Sequence, residues 1–138
     1  MPAGYSGTPL PKKLGIKEGH RIVLVGAPKG YDKTLGKLPA DVEVRETLRG
    51  GPFDVIHFFT KKKSDLLKRF PQLAGKLEQN GGLWISWPKK ASKVATDVTE
   101  ADVRRIGLES GLVDNKICAV DETWSGLRFV IRVKDRRK

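Results

Sequence analysis

The chain of 138 residues carries one cysteine, Cys118, and two histidines, His20 and His57. A lone cysteine forms no internal disulfide, and in the apolar run Ile117-Cys118-Ala119-Val120 it reads as a buried structural thiol. One cysteine and two scattered histidines lack the ligand spacing of a zinc site, so no metal centre is expected. Long apolar stretches are missing as well: the runs at 22–25 and 55–59 are far too short to cross a bilayer. The opening Met1-Pro2-Ala3-Gly4-Tyr5 has no charged region followed by an apolar stretch. These absences predict a soluble, cytoplasmic protein with no membrane partner. There is also no Walker loop, no Gly-x-Ser-x-Gly elbow, no internal repeat and no Pro/Gly/Ser-rich linker.

What remains is enough for one domain with a real core. Hydrophobic residues make up 38% of the chain and charged residues 31%, mixed in sign through the middle, which excludes wholesale disorder. A single α/β domain is expected over 1–133, with a turn-rich segment and short helix over 1–20 and a basic tail over 134–138.

Charge is one-sided. Lys and Arg outnumber Asp and Glu by 27 to 16, a formal net charge of +11. The cations fall in four groups: Lys12, Lys13 and Lys17; Lys61, Lys62 and Lys63; Lys89, Lys90 and Lys93; and the tail Arg132, Lys134, Arg136, Arg137 and Lys138. Spread over the surface they are solvation and a frayed tail. Converging on one face, they would attract a polyanion such as nucleic acid.

The order of elements follows from periodicity. Thr8 and Pro9 are placed to cap and start a short helix through Leu14, closed by Gly15. Residues 21–25 are nearly all apolar, as a strand covered on both faces should be. After a glycine loop, 31–38 predicts one or two helical turns, and Val42-Glu43-Val44-Arg45 alternates like a half-buried or edge strand. Residues 53–60 form another buried strand, with Ser64 as N-cap and Asp65 in the first turn of a helix. That helix carries Leu66, Leu67, Phe70, Leu73, Ala74 and Leu77 on one face, with Pro71 inside it, and ends at Asn80-Gly81-Gly82. Leu83-Trp84-Ile85-Ser86-Trp87 is the next strand. Thr99 with Asp102 predicts a capping box for a helix closed at Gly111. Strands near 116–120 and 127–133 form a hairpin with a long tip that includes Trp124. The fold class is therefore α/β: three layers, with a mainly parallel Rossmann-like sheet ending in an antiparallel hairpin. The short link from Arg45 to Phe53 leaves the pairing of the second strand open.

This order resembles a trimmed S-adenosylmethionine-dependent methyltransferase fold. The segments Gly4-Tyr5-Ser6-Gly7-Thr8-Pro9-Leu10 with Lys13-Leu14-Gly15-Ile16, Leu83-Trp84-Ile85-Ser86-Trp87-Pro88-Lys89, Gly111-Leu112-Val113-Asp114 and Trp124-Ser125-Gly126-Leu127 are also similar to a family of short bacterial proteins known only as a domain of unknown function. The second resemblance covers nearly the whole chain and implies no catalytic residues. The first implies S-adenosylmethionine as the candidate cofactor, held by a glycine-rich turn after the first strand and by an acid after the second.

Gly26-Ala27-Pro28-Lys29-Gly30 meets the first demand in part, since Pro28 removes a donor and a full G-x-G-x-x-G is absent. Glu43 or Glu46 could meet the second. Lys29 and Lys33 beside exposed amides suit an anion. In an open parallel sheet the loops after the strands share one rim. The candidate ligand-binding residues are accordingly Gly26, Lys29, Gly30, Tyr31, Arg45, Lys61, Trp87 and Lys89, with Thr60 beside them. Trp84 and Trp87, three apart on a strand, face opposite sides, so at least one packs in the core. His57 could act as a base only with a carboxylate such as Asp54, and structural roles are expected for both histidines. No catalytic residue is assigned. The function read from the sequence is a small non-catalytic or degenerate methyltransferase-like module binding an anionic metabolite or nucleotide. The alternatives are an S-adenosylmethionine-dependent methyltransferase and a nucleic-acid-binding protein.

Overall fold

The computed structural model describes residues 8–136. The turn-rich opening 1–7 and the last two residues of the basic tail lie outside the described residues. Six strands form one sheet: β1 (Arg21–Val25), β2 (Glu43–Arg45), β3 (Phe53–Phe59), β4 (Leu77–Pro88), β5 (Leu112–Ala119) and β6 (Trp124–Ile131). Their spatial order is β2-β1-β3-β4-β6-β5. The first four run parallel, and β6 lies antiparallel to both β4 and β5. Helices α1 (Leu10–Lys13), α2 (Tyr31–Leu35), α3 (Lys63–Ala74) and α4 (Glu100–Glu109) cover the two faces.

Side-chain alternation divides the core in two. Val23 and Val25 of β1, Ile56 and Phe58 of β3 and Leu83, Ile85 and Trp87 of β4 share one cluster with Leu66, Phe70 and Leu73 of α3 and Val103 and Ile106 of α4. The intervening residues Ile22, Val55, Phe59 and Trp84 turn to the other face, against Leu10 and Leu14 at the N-terminal end and Tyr31 and Leu35 of α2. Trp84 and Trp87 thus lie on opposite faces and both are buried. The thiol of Cys118 is half-buried, and burial raises its pKa, which suits an unreactive packing role.

The short link after Arg45 is resolved by geometry. Strand β2 is only three residues long and pairs in parallel with β1, Arg21 facing Glu43 and Val23 facing Arg45, so little chain is needed to return to the start of β3.

Several expected boundaries move. Helix α1 begins at Leu10 with Pro9 at its N-cap, so Thr8 does not cap it. Ser64 lies inside α3. The first amide of that helix, Lys63 N, donates instead to Asp97 Oδ1 at 2.7 Å, a cap supplied from 34 residues away. Helix α3 stops at Ala74, and Leu77 opens β4 opposite Phe53. Gly81 and Gly82 lie within that strand because it needs residues without side chains. A Cβ at Gly81 would stand 2.7 Å from Asp54 O, and one at Gly82 would strike the Arg128 guanidinium. Leu67 is 52% exposed and leaves the helix's core face. The hairpin strands are longer than read, which draws Trp124 into β6 and shrinks the tip to 120–123. The capping box at Thr99 and Asp102 forms as expected, each side chain bonding the other's amide.

Candidate functional site

Because β1 to β4 are parallel, the loops after Val25, Arg45, Phe59 and Pro88 share one rim of the sheet. The loop after β1 turns sharply. Gly26 and Gly30 have φ of +72° and +81°, a left-handed region that favours glycine. Tyr31 N donates to Pro28 O at 3.0 Å and starts α2. Between this loop and the chain after β2 lies a hollow of about 620 Å³, lined by Gly26, Ala27, Pro28, Gly30, Asp32 and Glu46, with Leu24 and Tyr31 at its wall. Two carboxylates and no cation line it. Glu43, the other acid considered for this place, is held in ion pairs by Arg21 at 2.9 Å and Arg45 at 3.2 Å.

A second hollow, about 460 Å³, opens beside the first at the end of β3 and the start of α3. Gly26 lines both. Its own Cβ, if present, would stand 3.0 Å from Phe59 O, so the bare backbone of Gly26 forms the saddle between the hollows. Lys61, Lys62, Lys68 and Arg69 line this second space, with Trp124 at its wall.

The candidate residues therefore divide. Gly26, Gly30 and Tyr31 meet at the first hollow and Lys61 lies at the second. Trp87 and Lys89 line a separate space of about 390 Å³ near Thr99 and Ser125. Arg45 is exposed and paired with Glu43, and Lys29 is exposed on the loop without lining the first hollow. Neither Tyr31 nor Trp87 offers a free aromatic plane, since both side chains are buried in the core clusters.

Tyr31 instead reaches inward. Its hydroxyl lies 3.1 Å from His57 Nδ1, and His57 Nε2 lies 2.6 Å from Ser86 Oγ. His57 and Ser86 are wholly buried. His57 stacks on Phe59 at 4.0 Å between ring centroids. Burial alone pushes its pKa down from 6.5 to about 3, so the ring is neutral, and burial also holds the Tyr31 phenol well above its ordinary value. Asp54, the expected partner, accepts from Arg21 N at 2.7 Å and takes no part. A neutral imidazole with one donor and one acceptor nitrogen satisfies both hydroxyls inside a packed layer. The row joins the end of the glycine loop to the centre of the sheet and offers no nucleophile to solvent.

Sequence reasoning passed over Asp32, Lys62, Lys68 and Arg69 as site residues. The last two had a readable signal, since they stand one turn past Asp65 on a helix that follows a lysine run.

No family model matches the chain, and no curated protein matches it. Solved structures do. A SAM-dependent methyltransferase from Aquifex aeolicus aligns over 88% of this chain and 87% of its own, with 18% identity and a TM-score of 0.61. Ribosomal protein L11 methylase from Lactobacillus delbrueckii subsp. bulgaricus aligns over 83% and 71%, with 16% identity and a TM-score of 0.57. An O-methyltransferase family 2 protein from Planctomyces limnophilus, in complex with apigenin, aligns over 96% of this chain and 54% of its own, with 11% identity and a TM-score of 0.60. At such identities the likeness is one of fold. The chain has a methyltransferase-like Rossmann fold, mostly parallel with an antiparallel β4-β6-β5 part.

Proposed function

We propose that the hollow at the ends of β1 and β2 receives the nucleoside part of S-adenosylmethionine or a related adenosyl ligand, and that the chain is a reduced methyltransferase-like binding domain of the cytoplasm. The observation that carries this reading is the pairing of the Gly26–Gly30 turn with the carboxylates of Glu46 and Asp32. A carboxylate accepts both hydrogens of a vicinal diol and attracts a sulfonium, whereas two carboxylates repel phosphate. Pro28 has no N–H to give, so the loop is a poor cradle for an anion. Both features disfavour an anionic metabolite in this hollow. Methyl transfer is the second reading, favoured by the adjoining second hollow, where an acceptor would lie beside the ligand across Gly26.

Isothermal titration with S-adenosylhomocysteine tests the first reading. Binding is expected, weakened about tenfold or more by Glu46→Ala, the worth of a charge-assisted hydrogen bond. The absence of both heat and a thermal shift on adding the nucleoside would overturn it. Tritiated methyl appearing on a component of cell extract would favour the transferase reading, and binding without label transfer the module.

A further inference from the structure

The second hollow concentrates positive charge, four cations against one acid. Among the described residues none of Lys61, Lys62, Lys68 and Arg69 is in an ion pair, whereas the adjoining Lys63 and, on α4, Arg104 and Arg105 all are. Arg69 donates only to Gln72 and lies 5.6 Å over the Phe58 ring, which fixes its guanidinium without neutralising it. Asp65 is the single acid of the lining.

A second lysine group joins this rim. Lys61 O accepts from Thr96 Oγ1 at 2.7 Å and from Asp97 N at 3.3 Å, and Asp97 caps α3. The segment bearing Lys89, Lys90 and Lys93 is thereby moored beside 61–63, while Lys89 N donates to Thr123 O of the hairpin. Two of the four basic groups in the sequence thus follow the carboxyl ends of the parallel strands β3 and β4. The described part of the tail, through Arg136, is elsewhere. Strand β6 runs antiparallel to β4, so Ile131 and the turn Val133–Asp135 after it lie toward the opposite end of the sheet.

We infer that this basic hollow binds phosphate groups, carried by a nucleic-acid strand or by a small phosphorylated molecule. The cations give a phosphate several donors at once, and the lysines of the adjoining segment extend the field along the rim. This goes beyond the adenosyl reading and stands if that reading fails, because the two hollows have separate linings apart from Gly26.

The test uses the full chain with a labelled polyuridine oligonucleotide in fluorescence anisotropy and with inorganic pyrophosphate in calorimetry. Lys61→Ala with Lys62→Ala is expected to weaken oligonucleotide binding about tenfold at low salt and to lower the salt slope by about 1.4, the share of two cations on a single strand. Neither side chain makes a hydrogen bond the fold relies on, and Lys68→Ala alone gives a smaller loss of the same sign should the double variant misfold. Removing equal charge from the tail, Lys134→Ala with Arg136→Ala, should change affinity less than about twofold. Pyrophosphate binding that depends on Lys61 and Lys62, without oligonucleotide binding, assigns the site to small phosphorylated molecules. Absence of binding to either, or a loss in the tail variant equal to that of the rim variant, overturns the inference.

Discussion

Gly26 meets two demands that no other residue type meets together. Its φ of +72° is strained for a side chain, and a Cβ would press against Phe59 O, so its bare backbone stands where the two hollows adjoin. Both glycines of the turn are legible in the sequence because the positive φ of the turn calls for that residue type. His57 was legible only as an oddity in an apolar strand, since its partners come from positions 26 residues before it and 29 after it. Its burial has a measurable consequence. The unfolded imidazole takes a proton near 6.5 and the folded one only near 3, so between those values the unfolded state binds more protons. The contribution is fully present above 6.5 and is lost as pH falls toward 3. Denaturant midpoints should therefore drop on acidification already between about pH 6.5 and 5, before ordinary carboxylates protonate. His57→Gln should flatten that part of the profile, and an unchanged slope in the variant would show that His57 is not held neutral.

Among the elements, α3 and β4 show how tertiary contacts override local signals. Ser64 and Asp65 look like a helix start, yet Asp97 supplies the cap one residue earlier in the helix, a partner no local window contains. Leu77 continues the apolar spacing of α3, but pairing with Phe53 and the close approach of Asp54 O to Gly81 draw 77–82 into the sheet. Helix α4 was read closely because its capping box is local. Its seat on the sheet was not, for it depends on Gly107 lying against the Phe129 ring. That ring is fully buried and meets Phe70 edge-on at 5.5 Å, so it has little room to give way. Gly107→Ala gains up to about 1 kcal/mol of helix propensity and loses about 1–3 kcal/mol to overpacking. A melting temperature lowered by a few degrees is expected. A variant as stable as the parent would show that α4 can slide off Phe129.

For the molecule as a whole, the sheet is the shared wall of both core clusters, and Trp84 and Trp87 report from its two faces. Neither layer keeps its core without the other side of the same strands, so unfolding should be a single transition. Far-UV circular dichroism and tryptophan fluorescence should give coincident curves, whereas a fluorescence change preceding loss of helix signal would mean that one layer detaches first. Much of this architecture was written locally: apolar runs, glycine turns and the box at Thr99 determine the element order, and that order with its crossovers determines an open parallel sheet. The sign and size of the net charge were equally legible. Which charges meet was not, because facing depends on strand order and on long-range bonds such as those to Lys61 O. Folding alone brought Glu46 to the Gly26–Gly30 turn, paired Arg45 with Glu43, and sent Tyr31 at the start of α2 inward to His57. The physical reason is range. Backbone preference and periodicity act over a few residues, whereas a site is made of side chains whose separation in space is set by the sheet's register.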